Sequence, residues 1–240
     1  TPPMKRSSRH RYLIILTVAL VAFTGFAAYT AAGPRPAPPP GSQDPVARVR
    51  AERRFAVPQE VVDRVRQGPS SRAQSYGGYM TLGHDSDKIT VEVPAAWNDI
   101  EYLPWVYQGQ EVGVTLMAST DLEAFGQRSA PGVFIGVSHL LTETSDPQAV
   151  LEAEGQGLSS SCARGRRFDY DDAIYKGWFD HFACDGASSV ITAVTTTPDG
   201  GFIVLIRVVV RTPADLDAAK RIFDTFQVVG NPEQDEHHDH

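Results

Sequence analysis

The chain has 240 residues, of which 42% are hydrophobic, and its formal net charge is −7. Residues 1–72 hold 12 of the 22 Lys and Arg side chains but 4 of the 29 carboxylates, so residues 73–240 are strongly acidic. An acidic globular part argues against nucleic acid as a partner. The length suits one globular domain of ordinary size rather than two.

Residues 12–32 contain no charged side chain and are predicted to cross a membrane. As a helix this segment reaches roughly 31 Å, enough for a hydrocarbon layer of about 30 Å. Residues 1–11 form a basic segment that favours a cytoplasmic N-terminus, so the chain after residue 32 is expected outside the cytoplasm. A cleaved signal peptide ending near Ala32 is the alternative. The first interpretation predicts a single-pass protein of the cell membrane, and the second a secreted one.

Residues 33–75 are predicted to be a Pro-rich linker followed by a short helical stalk. Gly33–Gly41 contains five prolines and favours extended polyproline II. Val46–Phe55 is rich in Arg, and Glu60–Gln67 places three valines on one helical face. The arginines either contact anionic lipid headgroups or are simply solvated.

Residues 76–230 show the pattern of a domain that mixes strands and helices. Lys88–Pro94 alternates between apolar and polar side chains, as a half-buried strand does. Four further strands are predicted, at Glu111–Ala118, Gly132–Ser138, Ser189–Thr197 and Phe202–Arg211. Helices are predicted to begin after Thr120, Asp146 and Thr212, which are suited to capping. Short connections favour an α+β fold with an antiparallel sheet covered by helices. Residues 231–240 are predicted to form a disordered tail.

The two cysteines, Cys162 and Cys184, are expected to form a disulfide, because an exported domain meets an oxidising environment. A redox pair usually has its cysteines two residues apart. A zinc site needs further ligands at suitable spacing. Both alternatives are therefore weaker.

No catalytic or metal-binding constellation stands out from the sequence. Asp171, Asp180 and His181 are a candidate polar site, but neighbours on a strand such as Asp180 and His181 point to opposite faces. His84–Asp87 offers several metal-ligand types, although turn chemistry explains them equally well. We therefore predict neither a cofactor nor a metal.

An aromatic-rich segment, residues 97–107, is the candidate binding region. Its large rings are Trp97, Tyr102, Trp105 and Tyr107. Exposed, these rings would form an amphipathic patch for a protein, glycan or lipid partner. The alternative is a loop folded back over the core with Trp97 buried.

Five segments of residues 76–230 carry a family resemblance. They are Ile89-x-Val91-x-Val93-Pro94-x-x-Trp97, the corner Ala118–Phe125, Pro131–Phe134, the cysteine pair around Tyr170-Asp171 and Tyr175-x-Gly177, and Arg221–Phe226. In these motifs the region resembles the PsbP-like α/β/α sandwich domains of cell-envelope proteins in high-GC Gram-positive bacteria, including the LpqN-type lipoproteins. The resemblance implies helices on both faces of an antiparallel sheet and an accessory or binding role. Unlike the lipoprotein members, this chain has no lipobox cysteine and carries a hydrophobic segment instead.

Together these observations predict a membrane-anchored, extracytoplasmic binding or scaffolding module of the cell envelope, without catalysis. The expected partner is an envelope protein, a lipid or a glycan. The alternative is a secreted hydrolase, or a lipid-handling carrier that uses a cleft of the sandwich.

Overall fold

A computed structural model describes residues 55–68, 75–83, 89–172, 174–196 and 200–228. The predicted membrane segment, the Pro-rich linker, the His84–Asp87 turn and the C-terminal tail lie outside these ranges. Within them, no helix has the length and apolar character needed to span a membrane.

The strands of the described residues form two antiparallel sheets. The small sheet has the order β1-β2-β11, from Tyr79–Gly83, Ile89–Pro94 and Gln227–Val228. The strands of the large sheet are β3 (Asp99–Tyr107), β4 (Gln110–Ser119), β5 (Gly132–Ser138), β6 (Cys162–Arg164), β7 (Phe168–Asp171), β8 (Lys176–Cys184), β9 (Ser189–Thr196) and β10 (Ile203–Val210). Its order is β3-β4-β5-β10-β9-β8-β6, and β7 also pairs with β8. The α+β class is confirmed, with two sheets where the sequence suggested one.

The described residues contain five α-helices: α1 (Gln59–Gln67), α2 (Leu122–Gly126), α3 (Leu140–Thr144), α4 (Pro147–Ser159) and α5 (Pro213–Thr225). The predicted caps at Asp146 and Thr212 are confirmed, and Thr212 forms a capping box with Asp215. The cap of α2 is Asp121 rather than Thr120, because the Asp121 carboxylate accepts the backbone N–H of Ala124.

Strand β10 shows how the large sheet separates two apolar layers. Val204 and Ile206 face the layer that contains α5, the small sheet and Val61 of α1. Leu205 faces the other layer, where Leu151 of α4 lies. Alternate residues of a strand point to opposite faces, so α4 and α5 cover opposite faces of the large sheet.

The helix that the sequence assigned to the stalk belongs to the domain core. Val61 and Val65 of α1 are buried in the same layer as α5. Phe55, which precedes α1, is buried there as well. Two buried valines and a phenylalanine contribute several kcal/mol of burial, about 1.5–3 kcal/mol for each large apolar side chain. Phe55 and α1 therefore pack in the same core as the domain that the sequence placed at residues 76–230.

Candidate functional site

The aromatic segment that the sequence presented as a loop contains strand β3, at one edge of the large sheet. β3 pairs with β4, and the register shifts between Trp105 and Val106. Trp97 precedes the strand and is fully buried, with Nε1 donating a 2.9 Å hydrogen bond to Oη of Tyr76. Trp105 is 3% exposed and packs beside Phe134. The four predicted rings therefore do not form one exposed patch, because both tryptophans are buried.

Most of the large apolar side chains that β3 exposes are not the predicted aromatic rings. Within the described residues, four large hydrophobic side chains are exposed, and three of them belong to β3. They are Tyr102 at 40%, Leu103 at 44% and Val106 at 60%. The fourth is Leu140 of α3. The predicted segment is thus an edge strand with an apolar surface, in which Tyr102 is the predicted ring that stays exposed.

The candidate polar site is not assembled. Asp180 and His181 point to opposite faces of β8, as a strand requires. Asp171 lies on the surface and forms a 3.5 Å ion pair with Lys176. The three side chains therefore do not share one site for acid–base chemistry.

Asp180 instead lies at the buried end of an ionic cluster whose other members are partly exposed. Its carboxylate is fully buried and accepts hydrogen bonds from Arg164 at 2.5 Å and from Arg167 at 2.9 Å. Both arginines also bind Glu152 of α4. Hydrogen bonds to Arg164 hold the pKa of the Glu152 carboxyl below its usual value. The cluster fastens α4 to strands β6 and β8, which is a structural role.

His181 lies on the other face of β8, beside the ring of Phe168 at 5.9 Å between centroids. It is buried, and its Nε2 atom has no hydrogen-bond partner among the described residues. Burial lowers its pKa, against a smaller opposing effect of Glu60. Burial therefore disfavours the charged form of this imidazole.

A cavity of about 370 Å³ opens between the segment before α1, strands β7 and β8, and the end of α5. Five aromatic side chains line it: Phe55, Phe168, Tyr170, Phe179 and Phe223. The lining also contains four aspartates, Asp169, Asp171, Asp172 and Asp224, and the short segment Ala56, Val57 and Pro58. Its volume falls in the usual range of small-molecule sites, about 300–1,000 Å³.

The predicted disulfide between Cys162 and Cys184 is confirmed. The two cysteines are directly opposite each other on β6 and β8, and both are buried. Arg64 of α1 donates a hydrogen bond from Nη2 to the carbonyl oxygen of Cys184. The bridge therefore joins two strands of the sheet and lies next to the contact that holds α1.

In the described ranges, no three His, Cys, Asp or Glu side chains lie close enough together to hold a metal ion. Of the positions that matter most in the structure, Phe55, Leu103, Val106 and Arg164 were not singled out in the sequence, and Asp180 was singled out with other partners. The sequence contains one indication of the Asp180 cluster, because the basic run Arg164-Gly-Arg-Arg167 precedes a strand that contains Asp180. No local pattern indicated the role of Phe55, since its partners are distant in sequence.

Comparison with known proteins finds similarity in structure but not in sequence. No protein-family model and no curated protein matches the chain. The solution structure of cyanobacterial PsbP (CyanoP) from Synechocystis sp. PCC 6803 is 14% identical, with a TM-score of 0.38. The alignment covers 68% of this chain and 100% of that one.

The crystal structure of the Saccharomyces cerevisiae Ran-binding protein Mog1p is 12% identical, with a TM-score of 0.37. It covers 64% of this chain and 96% of that one. Both similarities are too low to carry an argument about function. A relationship to LpqN-type proteins stays a prediction from the sequence motifs.

Proposed function

We propose that this chain is a membrane-anchored, extracytoplasmic scaffolding module that binds a polypeptide partner at edge strand β3. The observation that carries the proposal is the exposure of Leu103 and Val106, at 44% and 60%, on the outermost strand of the large sheet. Exposed apolar side chains on a sheet edge favour strand addition, in which a partner's backbone extends the sheet.

The composition of β3 suits a selective interface rather than indiscriminate pairing. Pro104 lacks a backbone N–H, and Asp99 and Glu101 place charge on the same strand. Charges and proline are the devices by which natural edge strands avoid aggregation. A partner must therefore match both the apolar positions and the charged ones.

The cellular location rests on two features. The Cys162–Cys184 disulfide is typical of oxidising compartments outside the cytoplasm. The uncharged residues 12–32 and their basic flank favour a membrane anchor with the domain outside. Membership of the PsbP-like and LpqN-type envelope domains is part of this proposal, and the sequence motifs support it.

A catalytic role is disfavoured. The rival hydrolase required Asp171, Asp180 and His181 in one cleft, and these side chains lie apart. Asp180 is occupied by two arginines. Both oxygens of this carboxylate accept hydrogen bonds from these arginines, which gives Asp180 a structural role.

The test replaces the apolar positions of the edge. Leu103→Lys with Val106→Lys adds two charges to β3 without disturbing the core, because both side chains are exposed. Leu140→Lys is the matched control, since Leu140 is an exposed leucine on α3. Tagged full-length variants are crosslinked in intact cells, purified under denaturing conditions and analysed by mass spectrometry.

We expect one reproducible protein adduct with the wild type and the control, and at least a tenfold smaller yield with the double variant, equivalent to about 1.4 kcal/mol of binding. Equal yields from all three proteins, with unchanged melting temperatures, would exclude β3 as the interface.

A further inference from the structure

The outer edge of β3 carries two rows of side chains, because successive residues of a strand point to opposite faces. The register with β4 is regular from Asp99 to Trp105. Trp105 is buried in the apolar layer of α4, whereas Ile100 packs against the layer of α5. Asp99, Glu101 and Leu103 therefore form one row, on the α4 side of the strand.

Two carboxylates and one exposed leucine make up this row. Asp99 and Glu101 are exposed, and neither forms an ion pair with a described residue. Oδ2 of Asp99 accepts the backbone N–H of Leu122 at 2.7 Å, a hydrogen bond that leaves the charge in place. Alternate residues of a strand are about 7 Å apart. The row thus presents two negative charges at a regular spacing, followed by Leu103.

The neighbouring sequence contains no Lys or Arg to balance these charges. Residues 89–127, which include β2, β3, β4 and α2, hold six Asp and Glu side chains and no basic one. One of the six, Glu111, lies opposite Val106 on β4 and is exposed as well. The edge is therefore acidic beyond the strand itself, which opposes anionic partners such as acidic lipids.

We propose that the strand added to β3 is basic, with Lys or Arg at two alternate positions opposite Asp99 and Glu101 and an apolar residue opposite Leu103. This basic pattern depends on the interface proposed at β3 and specifies the partner that the interface accepts. Directly opposite residues of paired strands have Cβ atoms about 4.5–5.5 Å apart, and opposite charges at that distance stabilise the pairing.

The second row requires that the partner also be apolar. Trp105 and Tyr107 both pack in the layer of α4, so Val106 between them faces the other way. Val106 is 60% exposed, and a partner residue opposite it is expected to be apolar. From Asp99 towards Leu103, the expected partner pattern is basic-x-basic-x-apolar. Such a strand differs from a merely cationic segment, which would match the charges but not the apolar positions.

Synthetic peptides test this pattern on the full-length protein in neutral detergent. The probe has nine residues, as β3 does, and consists of valine and threonine with two lysines at alternate positions near one end. Its reversed sequence covers the other direction of pairing, and the same peptides with glutamate in place of lysine are the controls. Fluorescence anisotropy measures binding, and hydrogen exchange measures protection of the β3 amides. We expect a lysine peptide to bind and to protect β3, and the glutamate peptides to do neither.

Removing the two charges tests where the lysine peptide binds. Asp99→Asn with Glu101→Gln keeps oxygen acceptors at both positions, including one for the Leu122 N–H. This double variant should bind the lysine peptide about fivefold more weakly. The matched control is Asp169→Asn with Asp171→Asn, which removes two exposed carboxylates at the same spacing on β7. The control should leave binding unchanged.

Four results would each overturn the basic pattern: no binding of either lysine peptide, equal binding of the glutamate peptides, equal weakening by the two double variants, or binding without protection of β3. These results are separate from failure of the interface, which the adduct in cells reports through Leu103→Lys with Val106→Lys. If that variant loses the adduct but the lysine peptide is insensitive to Asp99 and Glu101, the interface stands and the basic partner is excluded. If the adduct persists, the interface itself fails.

Discussion

Tyr76 donates a hydrogen bond from its hydroxyl group to Oδ1 of Asp215 at 2.5 Å, which ties the segment before β1 to the first turn of α5. The same hydroxyl oxygen accepts the 2.9 Å hydrogen bond from Trp97. The second carboxylate oxygen of Asp215 accepts the backbone N–H groups of Arg211 and Thr212. The buried carboxylate is therefore satisfied at both oxygens, and this network connects the small sheet with the helix that covers it.

Tyr76→Phe should lower the free energy of unfolding by about 1.5–3 kcal/mol, because a hydrogen bond to a charged group is lost and Trp97 Nε1 is left without its acceptor. Urea unfolding followed by tryptophan fluorescence measures the change. Burial, together with Asp215, raises the pKa of Tyr76, so the phenol stays protonated throughout the experiment. Tyr107→Phe is the control, since its hydroxyl has no hydrogen bond to described residues. If Tyr76→Phe lowered the free energy of unfolding as little as Tyr107→Phe does, the stabilising role of this network would be contradicted.

Asp180→Asn should destabilise the domain by about 3 kcal/mol, because it removes the charge that two arginines share at a buried position. Asp171→Asn is the matched control: its ion pair with Lys176 is well exposed and contributes at most about 1 kcal/mol. Chemical denaturation of the two variants should therefore give clearly different midpoints. Similar midpoints would show that the Asp180 cluster contributes little to stability.

Removing the disulfide with Cys162→Ser and Cys184→Ser should cost about 3.4 kcal/mol in the chain-entropy view, for a sequence separation of 22. Thermal unfolding measures the loss, and adding reductant to the wild type should lower its stability in the same direction. Electrophoresis with and without reductant reports the bridge in protein taken from cells. Reduced thiols in that material would count against both the disulfide and the external location.

Stability should fall as the pH drops below about 6.5, the ordinary pKa of histidine. Burial lowers the pKa of His181 in the folded state, so at mildly acidic pH the unfolded chain binds a proton that the folded one excludes. The contribution of neutral His181 to stability is therefore fully present above about pH 6.5 and is lost as the pH falls towards the lower pKa of His181 in the folded state. Glu60 and Asp180 oppose the shift, and Arg166 adds to it.

Urea midpoints between pH 7.5 and 5 measure this dependence. His181→Gln should flatten the curve in that window. An unchanged slope in His181→Gln would show that another group is responsible.

Local patterns in the sequence predicted much of the secondary structure. The alternation of Ile89, Val91 and Val93 marked β2, and all three are buried. Strand β5 has the predicted bounds, Gly132–Ser138. Asp146-Pro147 and Thr212-Pro213 marked the starts of α4 and α5. These signals succeed because each is contained within a few consecutive residues.

The candidate site was predicted less well. β3 was taken for a loop because Pro104 and the crowded aromatic side chains hide its alternation. Phe55 and α1 were assigned to a stalk because their apolar partners lie on strands and a helix far along the chain, such as Phe223. Asp180 was grouped with His181 and Asp171, whereas its actual partners are arginines on a neighbouring strand and loop.

The sequence by itself determined where most strands and helices begin, that the two cysteines pair, and that Asp180 and His181 face opposite ways. These properties follow from backbone periodicity, capping groups and the number of cysteines, which are readable along the chain. The tertiary structure decided which aromatic rings are buried, that α1 belongs to the core, and where a cavity and an exposed edge remain. Those outcomes depend on contacts such as that of Arg64 with Cys184, 120 positions apart, and no local pattern specifies which distant surfaces will meet.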